Sequence, residues 1–156
     1  MNDAVRLVSR VQLDPQFPLS KRELREVCAM LLDVLGLEGR TFSLTLVDDR
    51  EIAGVNATFL GCTGPTNILS FPDSDGEAMM SGMDDEDSLG ELMLSVDTLA
   101  RETFLYGQQP LEHLARLLAH GLLHLAGFDH GEAMFDLTDG AVDMILLQYG
   151  TNDIGE

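Results

Sequence analysis

Residues 110–130 read Pro110-Leu-Glu-His113-Leu-Ala-Arg116-Leu-Leu-Ala-His120-Gly-Leu-Leu-His124-Leu-Ala-Gly127-Phe-Asp-His130, and they hold all four histidines of the chain. Leu111, Leu114, Leu118, Leu122 and Leu125 recur three and four residues apart, the stripe of an amphipathic helix, and Pro110 suits its first turn. His120 and His124 then stand one turn apart on one face, so they can share an ion. In a continuing helix His130 would lie ~9 Å further along the axis and ~240° away, out of reach. Gly127 removes that obstacle, because glycine accepts the left-handed conformation that ends a helix and turns the chain back. Three neutral imidazoles with a fourth position open are the arrangement of a catalytic zinc rather than a structural one. His120, His124 and His130 are therefore the expected ligands of one Zn2+ per chain.

Several neighbours bear on that centre. Asp129 either orients a ligand imidazole or caps the helix that follows. Zinc proteases with this histidine spacing place a glutamate directly after the first histidine, as general base. Here that residue is Gly121, so a peptidase working through such a glutamate is not expected. His113 is on the same stripe but ~10 Å along the axis from His120, so it reads as a surface or groove residue. Cys62 is either a fourth ligand or a free thiol without special role. Asp73-Ser-Asp75-Gly76 has its glycine at position 4 of a calcium loop instead of 6, and no glutamate follows at position 12. Walker loops, dinucleotide fingerprints and the Gly-x-Ser-x-Gly elbow of serine hydrolases are all missing.

Outward from the histidines the chain alternates strand and helix signals. Ala4 to Leu13 alternates loosely as a strand. Ser20-Lys-Arg-Glu23 is a capping box, behind which Leu24, Val27, Cys28, Leu31, Leu32 and Leu35 form a helical stripe stopped by Gly36. Thr41 to Val47 is a β-rich alternating run, and Asp48-Asp49 caps a short helix to about Phe59. Asn67 to Phe71 and Glu91 to Val96 are two further strands, separated by an acidic stretch over 73–88 that reads as a mobile loop. Asp97 caps the next helix, and a last helix covers roughly Glu132 to Gln148. The order βαβαββααα predicts a single α/β (α+β) domain over residues 1–156. It would hold a small four-stranded sheet with about five helices, the metal-binding one ending in a glycine turn.

Composition supports one domain and narrows the function. The 156 residues are 45% hydrophobic and 23% charged, which excludes intrinsic disorder. The longest apolar run, Val27 to Leu32, is too short to span a bilayer, and MNDAVRLVSR lacks the apolar stretch of a secretory signal. Two cysteines fit a reducing compartment, so the expected address is the cytoplasm, with no membrane partner. The formal charge is −18 and uneven: residues 1–60 carry nine acids and seven bases, residues 61–156 carry 18 acids and only Arg101 and Arg116. Such a field repels polyanions, so a nucleic-acid role needs a local positive site: a metal ion or a basic N-terminal face. Solubility alone is the other reading of the charge.

The segment HGLLHLAGFDH at residues 120–130 resembles the signature of the bacterial rRNA-maturation metallo-endoribonuclease family, often called YbeY. The similarity extends to Asn56-Ala-Thr-Phe59, to Pro65-Thr-Asn-Ile-Leu-Ser-Phe-Pro72 and to Leu89-Gly-Glu-Leu92, and so covers most of residues 40–148. The resemblance implies a zinc-dependent, single-strand-directed RNA endonuclease in maturation of the 16S rRNA 3′ end and in ribosome quality control. Its partners would be rRNA and the ribosomal small subunit or ribosomal proteins, with no DNA. One departure stands out. Family members carry an arginine, implicated in RNA work, where this chain has Leu60, and leucine cannot pair with a phosphate. Arg116, four residues before His120, is a candidate substitute; the alternative is a surface arginine paired with Glu112. Two other readings stay open: a non-catalytic, zinc-containing ribosome-associated factor, and a metallohydrolase of another substrate.

Overall fold

A computed structural model describes residues 4–13, 17–72, 87–128 and 131–150. The elements run β1 (Val5–Ser9), α1 (Lys21–Val34), β2 (Thr41–Val47), α2 (Asp49–Leu60), β3 (Ile68–Pro72), β4 (Ser88–Ser95), α3 (Val96–Tyr106), α4 (Pro110–Leu125) and α5 (Glu132–Ile145), then a π-helical turn at Leu146–Gly150. This is the expected α/β architecture of four strands and five helices. The sheet order is β1-β2-β4-β3, with β1, β2 and β4 parallel and β3 antiparallel at the edge beside β4.

Alternation sorts the sheet into two faces. Phe42, Leu44 and Leu46 of β2, with Leu92 and Leu94 of β4, pack against leucines of α1 and α4 and against Ile145 of α5, all in one large core. Val47, Leu69 and Met93 point the other way and meet Ile52 of α2, with Val55 and Phe71 beside them. All eight residues of β4 are buried, as befits a strand covered on both sides. Among the described residues no helix is long and apolar enough to cross a membrane.

Local chemistry accounts for most boundaries. Ser20 and Glu23 form the capping box in full: Ser20 N–H donates to Glu23 Oε1 (2.9 Å) and Glu23 N–H to Ser20 Oγ (3.1 Å). β1 stops earlier than its alternation predicts, because Ser9 Oγ donates to the Val11 carbonyl (2.7 Å) and bends the chain out of the ladder. β4 starts earlier, at Ser88, so the expected loop there is shorter; residues 73–86, with Asp73, Asp75 and Gly76, lie outside the described residues.

The cap of α3 differs too. Ser95, not Asp97, is its N-cap, accepting from Thr98 N–H (3.2 Å). Asp97 instead reaches across to cap its neighbour, accepting from Asp49 N–H at the start of α2 (3.0 Å). Asp49 in turn accepts from Ser95 Oγ (2.7 Å), Thr98 Oγ1 (2.6 Å) and Arg101 Nη1 (3.0 Å). Two helix N-termini are thereby tied by exchanged carboxylates. Burial alone would raise the Asp49 pKa, but the bonds from Thr98, Ser95 and Arg101 outweigh it and hold the carboxyl below its ordinary range.

Candidate metal centre

Helix α4 carries the site. Its imidazoles at His120 and His124 are half-buried, with ring centroids 4.7 Å apart and planes at 81°. Two rings sharing a tetrahedral zinc through Zn–N bonds of ~2.1 Å would have centroids about 5 Å apart, a separation close to that of this pair. The end of α4 is a Schellman motif: Gly127 N–H donates to the His124 carbonyl (3.0 Å) and Phe128 N–H to the Leu123 carbonyl (3.0 Å). Gly127 has φ +95°, the left-handed conformation expected of it. The helix therefore ends within one turn of His124. His130 and Asp129 lie outside the described residues. Among the described residues no third His, Cys, Asp or Glu joins the two imidazoles in a metal-holding group.

Gly121, the residue that replaces the protease glutamate, has a packing reason. A β-carbon there would stand 2.8 Å from Leu92 Cδ2 and 3.3 Å from Ile68 Cδ1. The glycine lets α4 lie directly on β4 and β3, one residue from His120. No side chain at 121 can point toward a metal-bound substrate, because that position faces the core.

The remaining sequence candidates resolve as follows. Arg116 lies between two carboxylates, Nη1 2.7 Å from Asp139 Oδ1 and Nη2 3.6 Å from Glu112 Oε2, the surface pairing its position allowed. Cys62 is exposed, its Sγ 3.6 Å from the Leu60 carbonyl, and belongs to no group with the histidines. Cys28 is buried and its thiol is pushed up to about 12 by desolvation, so it is an inert packing residue. Leu60 is 53% exposed at the end of α2.

His113 corrects the expectation of a surface or groove residue. It is 6% exposed, and its Nε2 lies 2.8 Å from Glu102 Oε1 on α3. The same carboxylate accepts from Asn67 Nδ2 (3.1 Å), the residue that leads into β3. This relay of Asn67, Glu102 and His113 ties the loop before β3 to both α3 and α4. Nothing in the sequence marks Glu102 for it, since the three residues come from separate elements. A second asparagine fixes the start of the same loop: buried Asn56 donates from Nδ2 to the Gly64 carbonyl (2.9 Å), while its own carbonyl accepts from Cys62 N–H (3.2 Å).

Together these features define an α/β domain built to present paired imidazoles at the glycine-closed end of one core helix. A profile of the endoribonuclease YbeY family matches residues 12–141. Endoribonuclease YbeY of Oleidesulfovibrio alaskensis is 47% identical over 137 residues, spanning 79% of this chain and 81% of the relative. Endoribonuclease YbeY of Nitratidesulfovibrio vulgaris is 46% identical over 142 residues, spanning 84% and 88%. The chain belongs to the endoribonuclease YbeY family. The solution structure of TM1509 from Thermotoga maritima shares its fold, with a TM-score of 0.67 at 22% identity over 95% of this chain and 93% of that one.

Proposed function

We propose that the chain is an RNA-cleaving hydrolase, a zinc-dependent endonuclease of single-stranded RNA that matures the 3′ end of 16S rRNA and serves ribosome quality control in the cytoplasm. The RNA would be met on the small subunit or with ribosomal proteins. The observation that carries this reading is the His120–His124 pair, 4.7 Å between ring centroids, directly before the Gly127 turn. His130 is the proposed third ligand.

Zinc held by His120, His124 and His130 would supply a Lewis acid to offset negative charge on a phosphoryl oxygen. The chain's own contribution is placement. Gly121 seats the ligand helix on Leu92 and Ile68, and the half-burial of both imidazoles strengthens electrostatic interactions at the site relative to open water. Gly121 supplies no base after His120, which is less damaging for RNA than for a peptide, because RNA offers its own 2′-hydroxyl as a nucleophile beside a metal-bound water. Arg116 is held by Asp139 and Glu112, which favours a structural role for it over phosphate binding.

The test is cleavage of single-stranded RNA by the zinc-loaded protein, with His124→Ala as control. Cleavage by the wild type and none by the variant is the expected result. The second reading, a non-catalytic zinc-containing ribosome-associated factor, is favoured by one feature: exposed Leu60 where the family arginine would stand. Zinc and subunit binding without any RNA cleavage would select it.

A further inference from the structure

His113, Leu117, His120 and His124 follow one another at helical intervals and share one stripe of α4. The metal pair is at one end of the stripe, and His113 lies ~10 Å from His120 toward the other. Two consecutive residues at the entry to β3 grip the helix at both places. Asn67 reaches His113 through Glu102. Ile68 Cδ1 lies 3.3 Å from where a Gly121 β-carbon would stand, one residue from His120. The entry itself is anchored, since the Asn67 carbonyl accepts from Ser95 N–H (2.9 Å), where β4 passes into α3.

The two grips differ in kind. Ile68 against Gly121 is an apolar contact, which has no preferred direction. The relay is directional: the Glu102 carboxylate accepts from His113 Nε2 (2.8 Å) and from Asn67 Nδ2 (3.1 Å). Tyr106 packs edge to face on the same imidazole, with centroids 5.9 Å apart and planes at 87°. Directional bonds at a point off the helix axis resist rotation about that axis. Side chains reach ~5–6 Å from the axis, so a turn of ~10° carries a ring atom ~1 Å. A displacement of ~1 Å at a reacting centre can cost about a hundredfold in rate.

We propose that Glu102 is a positioning residue for RNA cleavage. By clamping His113 to Asn67 it fixes the rotation of α4, and with it the place of the His120–His124 pair relative to β3 and the loop over 61–67. The proposal rests on the RNA-endonuclease reading and adds what aims the metal pair. His120 and His124 ride on one helix and turn together, so loss of the clamp misdirects the pair without separating its two rings. Metal binding therefore survives where turnover does not, the reverse of what removal of a ligand does.

The experiment measures kcat and KM on single-stranded RNA well below the unfolding temperature, together with zinc content. A further arm needs no turnover: the dipolar distance, by electron paramagnetic resonance, between Cu2+ loaded in place of zinc and a nitroxide on Cys62. Cys62 is exposed in the loop and Cys28 is buried, so the label takes one site. Glu102→Ala should lower kcat about ten- to hundred-fold, keep KM within about twofold and leave zinc content unchanged, with the distance shifted or broadened. Glu102→Gln keeps an oxygen for both donors and should retain kcat and distance. Asn67→Asp sets two carboxylates against each other and should act like Glu102→Ala. Adding Glu102→Gln to it returns one amide and one carboxylate to the pair and should restore both readouts. Wild-type kcat or an unchanged distance in folded Glu102→Ala overturns the proposal. Loss of zinc in that variant overturns it as well, and so does a double variant no better than Asn67→Asp. Wild-type protein that cleaves no RNA overturns the endonuclease reading and the role of Glu102 in it, and a distance still shifted in Glu102→Ala marks that failure as one of the reading and not of the clamp.

Discussion

Gly121 and Leu92 approach so closely that a single β-carbon on the helix would stand 2.8 Å from a leucine methyl on the central strand. This contact seats α4 on the sheet. Alanine at 121 would gain ~1 kcal/mol in helix propensity, yet overpacking a filled core costs ~1–3 kcal/mol. Gly121→Ala should therefore destabilise by up to about 2 kcal/mol in urea denaturation. In a Leu92→Ala background the same substitution should become neutral or stabilising, since the obstructing methyl is gone. An unchanged penalty there would move the cause elsewhere.

At Gly127 the constraint is conformational and not steric, because a β-carbon there meets nothing within 4 Å while φ is +95°. Gly127→Val should strain the turn and weaken zinc binding, whereas Gly140→Ala, in α5 with equally open space, should leave it intact. Zinc is expected near 1:1 in the wild type by elemental analysis. Affinity should fall in acid, because an imidazole must be deprotonated to hold the metal.

The Glu102–His113 contact at 2.8 Å predicts a particular order of variants. Glu102→Ala leaves a buried imidazole and the Asn67 amide without their acceptor, a loss of ~1–3 kcal/mol. Glu102→Gln keeps an acceptor oxygen and should cost less. Equal stability of the two variants by chemical denaturation would show that the relay contributes nothing.

Asp49 yields a prediction in pH. Its pKa is lower in the folded protein, so its contribution is full above the unfolded value of about 3.9 and disappears as pH falls through the folded value. Asp49→Asn should thus be less stable than wild type at pH 7, and the gap should narrow below about pH 4. A gap that stays constant down to pH 2 would remove the carboxylate's charge from the explanation.

Leu60→Arg restores a guanidinium beside Phe59. Charge-assisted bonding to phosphate is worth ~1–3 kcal/mol, so cleavage or binding should improve roughly ten- to hundred-fold. The gain should shrink in high salt, and the salt slope should steepen by about one phosphate contact relative to wild type. An unchanged rate would show that residue 60 does not face the substrate.

Features whose causes lie within a few residues were legible in the sequence. The Ser20–Glu23 box, the Gly36 stop, the β2 alternation and the left-handed Gly127 all appear where the chain pattern puts them. Features decided by partners on other elements were not. Asp97 looked like the cap of its own helix but serves α2, because Ser95 already fills the local role. His113 looked accessible from its helical position, and only the distant Glu102 explains its burial. Gly121 was visible as a missing glutamate, while its closeness to Leu92 depends on how α4 meets the sheet.

The two outer strands bear on how the molecule behaves in a crowd. β1 and β3 form the rims of the sheet, and each is only five residues long. β1 and the residue after it carry Arg6 and Arg10, and β3 closes on Pro72, which has no N–H to offer an incoming strand. Short rims, bulky cations and a terminal proline all discourage a second sheet from growing onto this one. Combined with mutual repulsion between copies at −18, this should keep the protein dispersed at concentrations where open-edged sheets begin to form fibrils.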